Sequence, residues 1–552
     1  MDKHRTLIIG LDGATFDIIE PMVRAGRLPA FANLLSQGVH GPLKAWPNLN
    51  SAAAWSSIVT GYNPGMHGVH DFGSAPPQRG YAWHPMTALD RKKDPFWRLL
   101  SAKGKKVNII NVPISYPADP INGFMIAGMD TPGLSSHGFA HPPELQDELS
   151  RQGIGYIIDV PNLGDLSRKH PDRLPLEVKK MVEARSQTIL YLLKKPWDAF
   201  MAVFVALDRV QHYYWPKGEF SLEKREWAPI RETYQLIDSF LGDVLTQVDQ
   251  NTTLLIVSDH GFGFMLAANR LLNRLFAKLG LLSFRQGSNR LQGRLLKTLL
   301  LYGRRYIPYR FQYPLSRTFR RLHIQAVSES MFAGIDWSRT QAFASPHGGQ
   351  VFINLKGRQP EGTVSLEDYR SLREKIRGIL QNLIDPTTGK RVIKTVHLRE
   401  DIFHGPYLDP VGDLVIEWNI EAIGNALCSP TPGYQTSVSI SQGSGFFQGW
   451  TGTHRPFGIF LAYGPHIKKR ETISTATQYD ITPTILYLQN HPILNDMDGK
   501  VLIDIFTEDH LNNHPVQFSE PPDLQWKAPA GELDAEENRK IEERLRGLGY
   551  IE

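Results

Sequence analysis

Short apolar runs, each closed by an aspartate, punctuate the first half of the chain. TLIIGLD ends at Asp12, AFMAVFVALD at Asp208 and TLLIVSD at Asp259. Continuous apolar runs of this length predict strands buried on both faces of a parallel sheet. Between them the period lengthens: LEVKKMVEARSQTILYLLKK precedes the second run and YQLIDSFLGDVLTQV the third, both in helical spacing. The alternation predicts an α/β fold, a doubly wound, mostly parallel sheet flanked by helices. Ligands of such sheets sit beyond the carboxyl ends of the strands, where the three aspartates fall.

After the third run the pattern breaks. No Asp or Glu occurs between Asp259 and Glu329, while Arg285, Arg290, Arg294, Lys297, Arg304, Arg305, Arg310, Arg317, Arg320 and Arg321 recur. The expected organisation is a first part of the catalytic core over 1–265, a basic insertion or cap over 266–329, a second part of the core over 330–510, and a linker with a C-terminal helix over 511–552. That helix, in ELDAEENRKIEERLRGLGY, is expected to close at Gly547 or Gly549 and to serve packing or a homo-oligomer contact. The basic insertion is expected to form a solvated face, to attract an anionic substrate, or to make weak contact with an anionic membrane surface.

Composition narrows the class. The 552 residues are 41% hydrophobic and 21% charged, ordinary values for a soluble globular chain. A formal charge of +5 at this length carries no nucleic-acid signature. The single cysteine, Cys428, excludes an internal disulfide framework and fits a reducing compartment. The N-terminus MDKHRTLIIGLDG lacks a secretory h-region, and no apolar run approaches the ~20 residues of a membrane span. A cytoplasmic location is the expectation.

Acids and histidines gather beside the strand ends: Asp12 in GLDGATFD, Asp208 and His212 in ALDRVQHYYW, Asp259 and His260 in VSDHGFG, and His454 in GWTGTHRPFG. Singly, each has a bland reading as a turn former, a surface ion pair or a loop cap. Together they are the imidazole and carboxylate donors that Zn²⁺ takes, and mixed N/O donors accept Mn²⁺ or Fe²⁺ as well. Asp208 and His212, four apart, share one helix face. Ser51 opens NSAAAWSSIVTG, where SAAAW reads either as a serine-capped first turn or as a nucleophile at a helix N-terminus. His67 in PGMHG reads as a loop organiser, and His347 in SPHGGQ is left outside the site.

The ordered set LDG, SAAAWSSIVTGYNPGMHG, DRVQH, SDHGFG and TGTHRPFGIFLAYG resembles the alkaline phosphatase superfamily, in the style of its type I phosphodiesterases and nucleotide pyrophosphatases. GRLPAFANLLSQG, VNIINVPISYP, VFINLKGRQPEG and YDITPTILYLQNHPILNDMDGKVLIDIF extend the likeness over most of the chain. The basic insertion and part of the region from His137 to Pro171 fall outside it. The resemblance implies an alkaline phosphatase-like core with two divalent metal ions, zinc being the first expectation. One would be held by Asp12, Ser51, Asp259 and His260, the other by Asp208, His212 and His454. Ser51 stands at the family's nucleophile position and has no neighbouring cysteine, which argues against a formylglycine sulfatase.

Two departures mark the substrate. The better-known pyrophosphatases carry Thr followed by FPNH, whereas Ser51 is followed by AAAW; their downstream Asn is replaced by HGVHDF, with Asp71 nearest. Asp71, Asn269 and Arg455 are the expected substrate contacts, with Arg270 close by. The resemblance implies hydrolysis of a small anionic phosphoester, a phosphodiester or nucleotide-type pyrophosphate, through a phosphoseryl intermediate on Ser51. The alternatives are a phosphonate or phosphomonoester hydrolase and a catalytically silent metal-binding scaffold.

Overall fold

The computed structural model describes residues 4–47, 49–74, 84–161, 163–265, 271–285, 334–345, 349–422, 424–439, 450–474, 476–522, 524 and 535–548. The three aspartate-terminated runs are adjacent strands. Arg5–Leu11 lies between Ala199–Phe204 and Thr252–Val257, parallel to both. Every residue of the two outer strands is buried, as continuous apolar composition requires of a sheet covered on both faces. Val107–Ile110 and Gly123–Ile126 extend the parallel arrangement on one side. On the other, Phe457–Tyr463 runs antiparallel between Thr252–Val257 and Val39–Lys44. Among the described residues the sheet has ten strands.

Helices Leu174–Leu192 and Ala228–Gln247 fall where the lengthened period places them. A C-terminal helix, Ala535–Leu548, returns to the main core through Ile541, Leu545 and Leu548. It runs through Gly547, so that glycine does not terminate it; Gly549 lies outside the described residues.

A second core is drawn differently from the expected division. Leu272, Leu275, Phe276, Leu281 and Leu282, assigned above to the basic insertion, pack with Phe343, Ile353, Ile376, Val396 and Leu414. Their scaffold is a four-stranded antiparallel sheet, ordered Ala342–Ala344, Gln350–Ile353, Leu414–Trp418 and Ile393–Leu398, with the helix Leu366–Gln381. The chain rejoins the main core from Gly452–Arg455 onward, so the 330–510 stretch contributes to both cores. The strongly basic residues from Arg290 to Arg321 lie outside the described residues. No described helix is long and apolar enough to cross a membrane.

Candidate active site

The carboxyl ends of the three central strands carry the site. Asp12 follows Arg5–Leu11, and its backbone N–H donates to Phe204 O at 2.9 Å. Gly13 turns the chain with φ +76°, a conformation glycine adopts freely, and donates to Asp259 Oδ1 at 3.3 Å. Asp208 lies in the first turn of Ala206–Tyr214, its N–H donating to Asp12 O at 3.1 Å. Asp259 follows Thr252–Val257. All three carboxylates are fully buried.

Their oxygens are used unequally. Trp55 Nε1 donates to Asp12 Oδ2 at 3.1 Å, Arg209 Nη1 donates to Asp208 Oδ2, and Gly13 N holds Asp259 Oδ1. The opposite oxygens, Asp12 Oδ1, Asp208 Oδ1 and Asp259 Oδ2, are buried with no hydrogen-bond partner among the described residues. An acceptor left so in a protein interior costs about 1–3 kcal/mol, and more when charged. Such acceptors, in two groups of carboxylates and imidazoles, are candidate cation ligands.

The imidazoles face the same space. His212 Nδ1 bonds to Gly452 O at 3.0 Å, His454 Nδ1 to Leu49 O at 2.6 Å and His260 Nδ1 to Gly261 O at 3.0 Å. A carbonyl accepts only from N–H, so each neutral ring carries its proton on Nδ1 and presents a lone pair at Nε2. His212 and His454 Nε2 each lie 3.2 Å from Asp208 Oδ1 and 3.2 Å from one another. His260 Nε2 lies 3.5 Å from Asp12 Oδ1 and 3.3 Å from Asp259 Oδ2. Two donor sets result, Asp208/His212/His454 and Asp12/Asp259/His260, each with its ligand atoms within 4.8 Å of one another. The His260 and His454 rings stack at 3.6 Å, so the sets are side by side.

Ser51 is the first residue of the helix Ser51–Thr60 and is fully buried. Asn50, not Ser51, is the cap: its side-chain oxygen accepts from Ala52 N at 2.9 Å. The serine hydroxyl is thereby released from capping and sits 3.1 Å from His260 Nε2, to which it donates. Ala52, Ala53 and Ala54 are buried behind it, and Trp55, one turn on, reaches Asp12.

Burial pushes the Asp12 carboxyl well above its ordinary range, with Asp259 and Asp208 adding to the shift. Burial raises Asp259 to about 7, and the Asp208 charge acts in the same sense. Burial also raises Asp208, but the adjoining His212 and His454 rings when protonated, together with Arg209, outweigh it and hold that carboxyl low. Burial depresses His212 and, more strongly, His260. Burial thus penalises the charged forms of Asp12 and Asp259, a penalty that a bound cation would relieve, and favours neutral rings at His212 and His260. Carboxylate oxygens and neutral imidazoles are the donor types that borderline divalent cations take.

The expected substrate contacts fare differently. Asp71 Oδ1 accepts from Asn50 Nδ2 at 2.7 Å and from Phe72 N at 2.7 Å, which ties it to the cap of the serine helix. Arg455 donates to Phe264 O and, at 3.2 Å, to His454 O; its guanidinium lies across Gly263, bracing two paired strands. Asn269, Arg270 and His347 lie outside the described residues. His67 organises its loop as expected: Ser57 Oγ lies 3.0 Å from Nε2, and Val69 N donates to Nδ1. Trp55, Arg209 and Trp450, which stacks on His212 at 3.9 Å, had no distinguishing signal in the sequence.

Comparison with known proteins bears on this arrangement. The family model described as type I phosphodiesterase / nucleotide pyrophosphatase matches residues 6–452. No curated protein sequence matches the chain significantly. Among solved structures, phosphonoacetate hydrolase from Sinorhizobium meliloti 1021, in complex with phosphonoformate, is similar with TM-score 0.51 and 11% identity over 88% of this chain and 95% of that one. Murine ectonucleotide pyrophosphatase / phosphodiesterase 5, in an inactive variant complexed with AMP, gives TM-score 0.46 and 13% identity over 91% and 100%. At 11% identity the likeness to the phosphonoacetate hydrolase is one of fold alone.

Proposed function

The chain belongs to the type I phosphodiesterase / nucleotide pyrophosphatase family, and from that premise we propose that it is a metal-dependent hydrolase of phosphodiester or nucleotide-type pyrophosphate bonds, working through a phosphoseryl intermediate on Ser51. One observation carries the reading. Three buried carboxylates each have one oxygen held by an N–H and the other unpartnered, facing three Nε2 lone pairs around a buried serine hydroxyl.

Asp12, Asp259 and His260, with Ser51, would hold one cation, and Asp208, His212 and His454 the other. Bound there, two divalent cations would supply Lewis acidity toward the phosphoryl oxygens and lower the pKa of a ligated hydroxyl. The chain's own part is positional. Asn50 caps the helix and Asp71 holds Asn50, which fixes the Ser51 backbone. The carbonyls of Leu49, Gly452 and Gly261 set the three ring tautomers. The peptide N–H groups at the start of the serine helix favour an anionic group, by ~0.3–1 kcal/mol, a minor share of the activation.

Ser51 Oγ attacks phosphorus in line; the Oγ–P bond forms as the bond to the leaving alcohol or phosphate breaks, and the serine proton passes to the departing oxygen or to water. Water then cleaves the Oγ–P bond and restores the hydroxyl. The experiment is a comparison of an activated phosphodiester, a phosphomonoester and a phosphonate, before and after chelation and after metal add-back. Preference for the diester, lost on chelation and restored by metal, is the expected result. A monoester preference well above the diester overturns the substrate class.

A further inference from the structure

Behind the donor set of Asp208, His212 and His454 lies a buried ionic chain that neither catalysis nor the strand pattern explains. Arg209 is only 1% exposed. Its Nη2 donates to Asp159 Oδ2 at 2.8 Å, and its Nε lies 3.2 Å from both Asp159 oxygens. Nη1 of the same guanidinium reaches Asp208 Oδ2. The Asp159 side chain has no exposure at all. A planar guanidinium gripped on one edge by a carboxylate presents its remaining N–H in a fixed direction. Asp208 is thus held by Oδ2, and Oδ1 alone is open toward His212 and His454.

We infer that Asp159 and Arg209 form a positioning relay that presents Asp208 to a cation. The inference rests on the cation reading of the site. It makes a buried ion pair a determinant of metal retention in one of two adjacent sites, without contact with substrate.

The test is a Zn²⁺ titration of metal-stripped full-length chain against a chromophoric chelator, with circular dichroism and thermal unfolding followed alongside. Wild type is expected to show two binding steps, and His212→Ala identifies the step that belongs to Asp208. In the charge-neutral pair Asp159→Asn/Arg209→Met that step weakens by about tenfold or more, in the usual range for groups behind a metal ligand, while the other is unchanged. A merely structural ion pair would lower the unfolding temperature and leave both steps alike. Arg209→Lys, which keeps the charge but loses the fixed fork, weakens the same step by several-fold and serves if the double variant does not fold. Two unaltered steps in folded Arg209→Lys, or in a folded double variant, overturn the relay. No binding by wild type would instead refute the cation reading itself.

Discussion

Trp55→Phe separates the packing of the serine helix from its service to the site. Trp55 is fully buried, its Nε1–H donates to Asp12 Oδ2 at 3.1 Å, and its Cη2 lies 2.5 Å from where a Cβ on Gly10 would stand. Phenylalanine keeps a ring in the core but removes the donor and shortens the reach. The lost donor leaves a buried carboxylate oxygen without a partner, at ~1–3 kcal/mol. The void left over Gly10, on the order of 40 Å³, adds ~1 kcal/mol at ~24 cal/mol per Å³. Urea unfolding of the stripped chain should therefore show a loss of about 2–4 kcal/mol at unchanged m-value. Because the Trp55 bond favours the ionised form of Asp12 against burial, cation affinity at the Asp12/Asp259/His260 set should fall by about 10- to 100-fold. A loss under ~1 kcal/mol with affinity unchanged would refute the assignment of Trp55 as the donor that orients Asp12.

Ser51→Ala should retain both cations and the unfolding midpoint while turnover of an activated phosphodiester falls by about 10³-fold or more, as for other catalytic units that lose their nucleophile; near wild-type turnover would exclude Ser51. On the opposite face, the rings of His4, His466, His510 and His514 follow one another at 5.2, 4.3 and 4.5 Å. Burial first, then the charge of the neighbouring histidines, takes His4 down to about 4 and His510 down to about 4. A folded pKa below the unfolded value means that the unfolded chain binds the extra proton. This contribution is intact above about pH 6.5 and is lost as pH falls toward 4, by ~3 kcal/mol for His4 and less for the more exposed His510. Urea midpoints of His4→Gln should fall less than those of wild type between neutral pH and about pH 5; parallel losses would contradict the shift.

The parallel heart of the fold was legible because its strands are buried on both faces, which forces continuous apolar runs ending at polar positions. The six acids and histidines were legible for the same reason: strand ends in such a sheet converge, so residues far apart in the chain become neighbours. What orients them was not. Trp55 reads as an ordinary buried aromatic of a short helix, and Arg209 as a solvated partner of its neighbour. Asp159 lies in the region from His137 to Pro171, part of which falls outside the family likeness read from the sequence. Each acquires its role from a contact more than forty residues away or across a buried pair, which local pattern does not encode. Arg455 was misjudged from its adjacency to His454, although its guanidinium turns back onto the neighbouring strand, over Gly263. The second core was hidden in the same way, since LLNRLFAKLGLL sits in an acid-free stretch whose composition reads as one basic insertion.

The most direct measurement is the metal content of reconstituted, full-length chain, taken by mass spectrometry on the same sample whose phosphodiester turnover is followed. The account predicts two divalent cations per chain and loss of turnover as they are stripped. Asp208→Asn should lose one cation and Asp12→Asn the other. A chain that takes up none after reconstitution, or that turns over equally well without them, would contradict it.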